Sequence, residues 1–207
     1  MSRYPSGGCK SHQLVDLVAA LKCQYPERVH LILGNHELAE LGDRTIVKAG
    51  ERTNQLFRQG IEAAYGACKD DVYNAYRELF RSCPLGVRTS NRVFICHSLP
   101  AGKRLDACFD AKLFEADSMD GLSSQRGSPL HSLLWGRDAS EQTARRFAAL
   151  VDADLLITGH IPCPEGFHTP NTLQLVLDSS RYPACYCLFS NQGQCTLAGL
   201  VANVSSF

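Results

Sequence analysis

Polar side chains follow three apolar segments of the chain, at the points where each segment ends. Asn35 and His36 follow the first, His97 follows the second and His160 follows the third. Imidazole nitrogen and amide oxygen are suitable ligands for a divalent ion such as Mn, Fe or Zn. Because open α/β sheets place ligands at the carboxyl ends of their strands, we expect these side chains to form one metal site. Neutral ligands balance a dication poorly, so carboxylates or a phosphate group are expected nearby.

The remaining histidines lack this setting at a strand end, and we interpret all of them as structural: His12, His30, His131 and His168. Two of the three strand ends also carry a glycine, Gly34 and Gly159, next to the polar residue. Since glycine has no Cβ, these positions predict a close approach of the backbone to a neighbouring group.

The hydrophobic pattern alternates between helical and strand-like segments. Apolar residues at helical spacing predict helices at residues 11–24, 52–65, 70–82 and 138–151. Short apolar runs predict strands at residues 29–34, 92–96, 154–158, 172–178, 184–190 and 194–201. Ser11 is the predicted N-cap of the first helix, and Asp138 with Glu141 has capping-box spacing. This order of elements indicates an α/β protein with a mixed sheet.

Composition narrows the possible partners and the compartment. The 207 residues include 21 basic and 21 acidic side chains, and this zero net charge argues against nucleic acid or membrane surfaces as partners. The first residues lack a signal-peptide pattern, so we expect a cytoplasmic protein whose ten cysteines are reduced thiols. We expect a single domain over residues 1–207, with a turn-rich surface loop at 117–129.

Three segments resemble the signatures of a known family: Leu33-Gly34-Asn35-His36-Glu37, Phe94-Ile95-Cys96-His97 and Ile157-Thr158-Gly159-His160. They are similar to motifs of the calcineurin-like metallophosphoesterases, most closely the serine/threonine phosphoprotein phosphatase branch and its bacterial relatives. The resemblance covers about residues 11–190 and includes Leu133-Leu134-Trp135. It implies an αββα fold, in which helices flank a β-sandwich.

The resemblance also implies a reaction and roles for individual residues. Asn35, His97 and His160 match ligands of the second of two metal ions, and His36 matches the general acid. In such a site a metal-bound hydroxide attacks the phosphorus of a phosphate monoester in line, and the acid protonates the leaving oxygen. Arg137 is our candidate for the phosphate-binding arginine, and Glu37 is expected to support the loop.

Two motifs that the family carries upstream are missing from this sequence. No D-x-H occurs, and residues 2–8 stand where G-D-x-x-D-R-G belongs, with Arg3, Ser6 and Gly7 at its functional positions. Asp43 is no substitute for the missing aspartates, because it follows the Gly34-Asn35-His36-Glu37 motif, whereas the missing motifs precede it. We therefore expect an N-terminally truncated domain that lacks its first strands, binds at most one ion and shows little activity by itself.

Three functions remain open at this point. The first is a metal-dependent hydrolase of phosphate monoesters, whose substrates are phosphorylated proteins or small phosphate esters. The second is a catalytically dead pseudophosphatase that acts by binding, which the residues at 3, 6 and 7 favour. The third is a dinucleoside-polyphosphate hydrolase using the same residues.

Overall fold

The computed structural model describes residues 2–107, 109–116, 119 and 121–207, which group into two compact units. The first unit contains residues 2–84 together with Met119, and the second begins at Leu85. The helices are α1 (His12–Gln24), α2 (Asn35–Leu41), α3 (Thr53–Tyr65), α4 (Lys69–Arg81), α5 (Gly102–Ala107), α6 (Pro129–Trp135), α7 (Glu141–Leu150) and α8 (Leu197–Ala202). The strands are β1 (Val47–Lys48), β2 (Glu51–Arg52), β3 (Gly86–Arg88), β4 (Val93–Cys96), β5 (Leu155–Thr158), β6 (Phe167–His168), β7 (Gln174–Leu177), β8 (Cys185–Cys187) and β9 (Val204–Ser206).

The first unit is built mainly from helices, and the predictions of α1, α3 and α4 are confirmed. The apolar stripe of α1 is nevertheless not buried: Leu14 is 65% exposed and Leu17 is 55% exposed. Val18 and Leu21 of the stripe are half-buried, and Asp16 accepts hydrogen bonds from Tyr65 and Tyr76. His12, at 2% exposure, lies between the rings of Tyr4 and Tyr65, as expected for a structural histidine.

The predicted strand at residues 29–34 is wrong. Its end is buried, since Leu33 is fully inaccessible, but no ladder forms along it within the described residues. Among the described residues this segment makes isolated backbone hydrogen bonds instead. The Val29 N–H donates to the carbonyl of Tyr25 (3.1 Å), and the Leu33 N–H donates to the carbonyl of Pro84 (3.0 Å). A strand requires a continuous partner, which the hydrophobicity of a segment alone does not supply.

The second unit contains a five-stranded mixed sheet in the order β3-β4-β5-β7-β6. β4, β5 and β7 are parallel neighbours, whereas β3 and β6 pair antiparallel at the two edges. Since strand side chains alternate between faces, β4 contributes Val93 to one face and Phe94 to the other. This arrangement confirms the α/β prediction of a mixed sheet flanked by helices.

Helices and a second small sheet cover the two faces. Val93 belongs to a buried cluster with Leu155, Ile157, Leu175 and Leu200, so α8 packs on that side with residues of the β8–β9 pair. On the other face, the ring centroid of Phe94 lies 5.1 Å from that of Phe114 and 6.0 Å from that of Phe147 on α7. The core therefore fixes β4 and β5 from both sides.

Several predicted boundaries need correction. Residues 194–201 are not a strand: Leu197, Leu200 and Val201 have helical spacing, and Thr196 caps the resulting α8 through a hydrogen bond from Gly199 (3.1 Å). The N-cap of α7 is Ser140 rather than Asp138. The Ser11 side chain makes no cap hydrogen bond.

The predicted loop at 117–129 falls partly outside the described residues, which omit 117, 118 and 120; α6 begins at its last residue. Nine cysteines are described and all are free thiols, in line with the expectation of reduced cysteines. Cys185 is buried, and Cys187 packs against the cluster beneath α8. In the described part of the chain, no helix is both long and apolar enough to cross a membrane.

Candidate functional site

The first pair of candidate residues lies at the start of α2. The chain is extended at Gly34, and α2 begins with Asn35, which is 7% exposed. The carboxylate of Glu37 reaches back and accepts the Gly34 N–H at 3.1 Å, closing the helix start as the sequence analysis expected. Burial raises the pKa of Glu37, and hydrogen bonds to backbone N–H groups partly offset this. Glu37 therefore supports the helix end that presents Asn35 and His36.

His36 lies beside Asn35 in the first unit. Burial of its ring lowers the pKa of His36 from the ordinary value, and the positive charge of Lys48 on β1 lowers it further. Sequence reasoning missed Lys48, because its effect depends on a fold that brings residue 48 near residue 36. A lowered pKa makes the protonated ring a stronger proton donor, and it also leaves more of the ring in the neutral form at neutral pH.

The second pair lies at the carboxyl ends of two inner strands of the five-stranded sheet. β4 and β5 are parallel and Ile95 pairs with Ile157, so His97 and Gly159-His160 follow at the same end. The Gly159 N–H donates to the carbonyl of His97 at 3.1 Å, which extends the register beyond the strands. The geometry therefore brings the two histidines together at one end of the sheet, and their role as metal ligands stays a prediction.

The two imidazoles face each other. His97 Nε2 and His160 Nδ1 are 3.0 Å apart, and the ring centroids are separated by 4.8 Å. His160 has a φ of 66°, in the left-handed region that is unusual for a residue with a side chain. Such local strain at a polar strand end is typical of positions that orient a functional group.

The spacing of the imidazole nitrogens fits two ligands of one metal ion. At 3.0 Å the nitrogens of His97 and His160 are within hydrogen-bonding distance of each other. Two nitrogens that bind a tetrahedral ion at about 2.05 Å lie roughly 3.3 Å apart, so a small separation of the rings would accommodate an ion. Within the described residues, no group of three or more His, Cys, Asp or Glu side chains is arranged to hold an ion. The pair therefore fits as part of a ligand set that needs further donors.

Close backbone packing fixes the loop after His97. The packing is at Gly136, whereas the sequence analysis predicted close approaches at Gly34 and Gly159. A Cβ at Gly136 would lie 1.7 Å from the carbonyl oxygen of Leu99, so only glycine fits there. The Ser98 hydroxyl also donates to the carbonyl of Leu133 on α6. At Gly159 a Cβ would meet nothing closer than 3.5 Å, so the predicted close approach is absent there.

Arg137 follows this close contact directly and is exposed. The next residue, Asp138, accepts hydrogen bonds from the N–H of Gly102 (2.8 Å), from Ser140 and from the Thr143 hydroxyl (2.9 Å). Partial burial raises the pKa of Asp138, but these hydrogen bonds outweigh that effect and lower it to about 2. Asp138 thus fixes the segment that presents Arg137 between α6 and α7.

By the family resemblance, Arg3 is the residue expected at the position of the metal-bridging aspartate. Its guanidinium pairs with the carboxylate of Glu51 on β2, and Arg3 forms an isolated bridge with Cys9. Between them the chain turns at Gly7, which has a φ of 96°. These residues form a small closed loop that contributes no carboxylate to a metal site.

Comparison with known proteins settles the family. Residues 4–164 match the sequence model described as calcineurin-like phosphoesterase, which is most of the chain. The chain belongs to the calcineurin-like phosphoesterase family. The resemblance recognised in the three motifs is therefore confirmed.

Curated relatives point to one branch of this family. The chain is 33% identical over 121 residues to the serine/threonine-protein phosphatase PP2A-like PPG1 of Candida albicans, an alignment covering 58% of this chain and 26% of that protein. It is 28% identical over 160 residues to a probable serine/threonine-protein phosphatase of Encephalitozoon cuniculi, covering 73% and 31% of the two chains. The chain thus spans between a quarter and a third of the length of these relatives.

A solved structure shares the fold. A protein serine/threonine phosphatase from Saccharomyces cerevisiae, described as similar to human phosphatase PP5, aligns with a TM-score of 0.61. The alignment covers 84% of this chain and 55% of that one at 17% identity. This likeness supports the phosphatase-type fold that the motifs implied.

Proposed function

We propose that this chain carries part of the active site of a metal-dependent phosphoesterase, which hydrolyses phosphate monoesters in the manner of serine/threonine protein phosphatases. Membership of the calcineurin-like phosphoesterase family supports the reaction class. The observation that carries the proposal is the contact between His97 and His160 at the ends of two parallel strands. Phosphorylated proteins or small phosphate esters are the substrates that we propose, in the cytoplasm.

Each candidate residue has a proposed role. Asn35, His97 and His160 hold a divalent ion such as Mn, Fe or Zn through their amide oxygen and ring nitrogens. When bound, the ion supplies positive charge that stabilises the charge developing on the phosphoryl oxygens. These 207 residues offer ligands for at most one of the two ions that the family uses.

The remaining chemistry belongs to side chains. His36 donates a ring proton to the leaving oxygen as the phosphorus–oxygen bond breaks. Arg137 binds the phosphate through its planar guanidinium, whose paired N–H groups match two phosphate oxygens. Asp138 and Gly136 hold the segment that carries Arg137.

A non-catalytic binding protein is the second candidate function. The ion pair of Arg3 with Glu51 favours it, because an arginine stands where a metal-bridging carboxylate is needed. On that proposal the chain retains His97 and His160 for binding an ion or a phosphorylated partner, without turnover.

Hydrolysis assays separate these proposals. We expect weak Mn-dependent phosphate release from an aryl phosphate or a phosphoserine peptide, abolished by His36→Ala and by a chelator. His30→Ala, which changes an exposed histidine of the same unit, should leave the rate unchanged. Turnover that survives both the chelator and His36→Ala would overturn the phosphoesterase proposal. Binding of the peptide without any turnover would favour the binding protein.

A further inference from the structure

The first unit contains a polar cavity that the phosphoesterase proposal does not use. It has a volume of about 560 Å³ and lies between the loop after α2, the β1–β2 hairpin, α3 and α4. Pockets of several hundred Å³ are the size that holds small organic ligands in proteins. The residues that line it are predominantly charged or amide-bearing: Asp43, Arg44, Thr45, Arg52, Asn54, Gln55, Arg58, Gln59, Ile61, Glu62, Lys69, Asp70 and Tyr73.

A buried carboxylate behind the cavity fixes part of its wall. Glu40 is 5% exposed and accepts hydrogen bonds from Asn54 (2.6 Å), Tyr73 (2.7 Å) and Arg58 (3.4 Å). The guanidinium of Arg58 also lies over the ring of Tyr73, 4.7 Å from its centroid. Three lining side chains from α3 and α4 are thus held in place before any ligand arrives, which lowers the entropic cost of binding.

The acidic residues of the lining are largely neutralised inside the protein. Asp43 pairs with Arg58 (3.0 Å) and with Arg77 (3.2 Å), and Glu62 pairs with Lys69 (2.6 Å). Asp70 lies in the first turn of α4, where the helix dipole favours a negative charge. Most of the negative charge around this cavity is therefore already balanced by positively charged side chains of the same unit.

Two arginines of the lining are different. In the part of the chain that the structure describes, neither the Arg44 nor the Arg52 side chain forms an ion pair or a hydrogen bond. Guanidinium groups match carboxylate and phosphate oxygens through paired N–H donors. Among the described residues the carboxylate of Asp70 also forms no ion pair, so the unmatched charges of the lining are two positive groups and one negative group, which leaves a net positive charge on groups suited to anions.

The backbone that carries these arginines is held in unusual conformations. Asp43 and Ala49 have φ values of 49° and 52°, in the left-handed region that disfavours side chains. Arg44 is anchored by its N–H to the carbonyl of Ala39 at 2.8 Å, and β1 and β2 pair over only two residues each. Ala49 and Gly50, whose φ values are 52° and 80°, form the two-residue turn that a short hairpin requires, and this turn positions Arg52 opposite the loop that carries Arg44.

We propose that this cavity binds a small organic anion through a phosphate or carboxylate group held between Arg44 and Arg52. Gln55 and Gln59 also line the cavity, and in this proposal their amides hydrogen-bond the uncharged part of the ligand. The site lies wholly within the first unit and uses none of the residues assigned to phosphate-ester hydrolysis. It is therefore independent of the proposed function.

Calorimetric titration of the metal-depleted full chain, from which EDTA has been removed by dialysis, tests the site, since depletion of metal suppresses metal-dependent hydrolysis. The probes are inorganic phosphate, adenosine monophosphate and citrate. We expect saturable one-site binding of at least one probe, weakened about tenfold by Arg44→Gln or by Arg52→Gln. The matched control is Arg28→Gln, which removes an exposed arginine of the same unit outside the cavity and should leave affinity unchanged.

The three probes also distinguish the sources of the anion. Tight binding of adenosine monophosphate or inorganic phosphate would identify a phosphate site, and tight binding of citrate alone a carboxylate site; both results support the proposal. Thermal melts of the two cavity variants should match the wild type, because neither arginine side chain has a partner to lose among the residues that the structure describes. Failure of all three probes to saturate, or equal affinity in Arg44→Gln, Arg52→Gln and Arg28→Gln, would overturn it.

Discussion

Two regions of the molecule hold polar side chains by different means: in the first unit, hydrogen bonds from side chains to the buried Glu40, here called the Glu40 network, and in the second unit, backbone packing of the loops after β4 and β5. Glu40 is buried and bonded by side chains from α3 and α4, including Asn54 and Tyr73. In the second unit backbone contacts hold the loops, such as Gly136 against Leu99, while the imidazoles of His97 and His160 face each other. A carboxylate bonded by protein donors stabilises the fold, whereas side chains on a backbone-fixed loop can serve a ligand.

Replacing Glu40 tests the structural half of this comparison, and we expect the largest effect there. Glu40→Ala leaves Asn54, Tyr73 and Arg58 without their shared acceptor, so the free energy of unfolding should fall by about 3 kcal/mol. Urea denaturation followed by circular dichroism measures the change. Glu27→Ala, which removes an exposed glutamate of the same unit, serves as the control. Equal stability of the two variants would show that the network is not structural.

Adding a methyl group at Gly136 tests whether backbone packing holds the loop after β4. Gly136→Ala places a Cβ against the carbonyl of Leu99, and we expect a loss of about 2 kcal/mol from the displaced backbone. Gly159→Ala meets only ordinary contacts at 3.5 Å and is the matched control in the neighbouring loop. Thermal unfolding compares the two, and an equal shift for both would contradict this account of the loops.

Asp138 provides a pH test in the same region, with a smaller expected effect. Its pKa of about 2 in the folded chain lies below the ordinary value of 3.8. The ionised form is therefore favoured by folding, and this stability is present above about pH 4 and lost as the pH falls through 2. At pH 6 we expect the unfolding free energy of the wild type to be higher than that of Asp138→Asn by about 1 kcal/mol, a figure that allows for the partial exposure of the carboxylate.

The difference between the two proteins should shrink toward zero as the pH approaches 2. Measuring the unfolding free energy of both from pH 6 to pH 2 isolates Asp138, because the other titrating groups are common to both. A difference that stays constant over this range would contradict the hydrogen-bonding scheme around Asp138.

Much of the fold was predictable because the elements in question are long or periodic. The helices α1, α3 and α7 and the strands β4, β5 and β7 all lie within predicted segments, and α4 begins one residue before its predicted segment. Residues 29–34 were misassigned because a strand depends on its neighbours, which local hydrophobicity does not reveal. For residues 197–202 the signal was present, since Leu197, Leu200 and Val201 repeat at helical spacing after a threonine cap.

The candidate site was predictable where it depends on strand ends, and less so elsewhere. His97 and His160 were expected to meet because each follows an apolar strand, and they do. The effect of Lys48 on His36, and the contact of Gly136 with Leu99, depend on residues far apart in the sequence and carry no local signature. The roles of Asn35, His36 and Arg137 stay predictions of the family resemblance.

Metal binding by the two strand-end histidines tests the central claim most directly. The measurement is the metal content and Mn affinity of the chain, of His97→Ala and of His160→Ala, by elemental analysis after dialysis and by calorimetry. His30→Ala is the control, and circular dichroism confirms that each variant is folded. We predict that both strand-end variants lose at least about tenfold in affinity, because each removes one nitrogen ligand, while His30→Ala binds normally. Unchanged metal content and affinity in both strand-end variants would contradict the assignment of His97 and His160 as ligands.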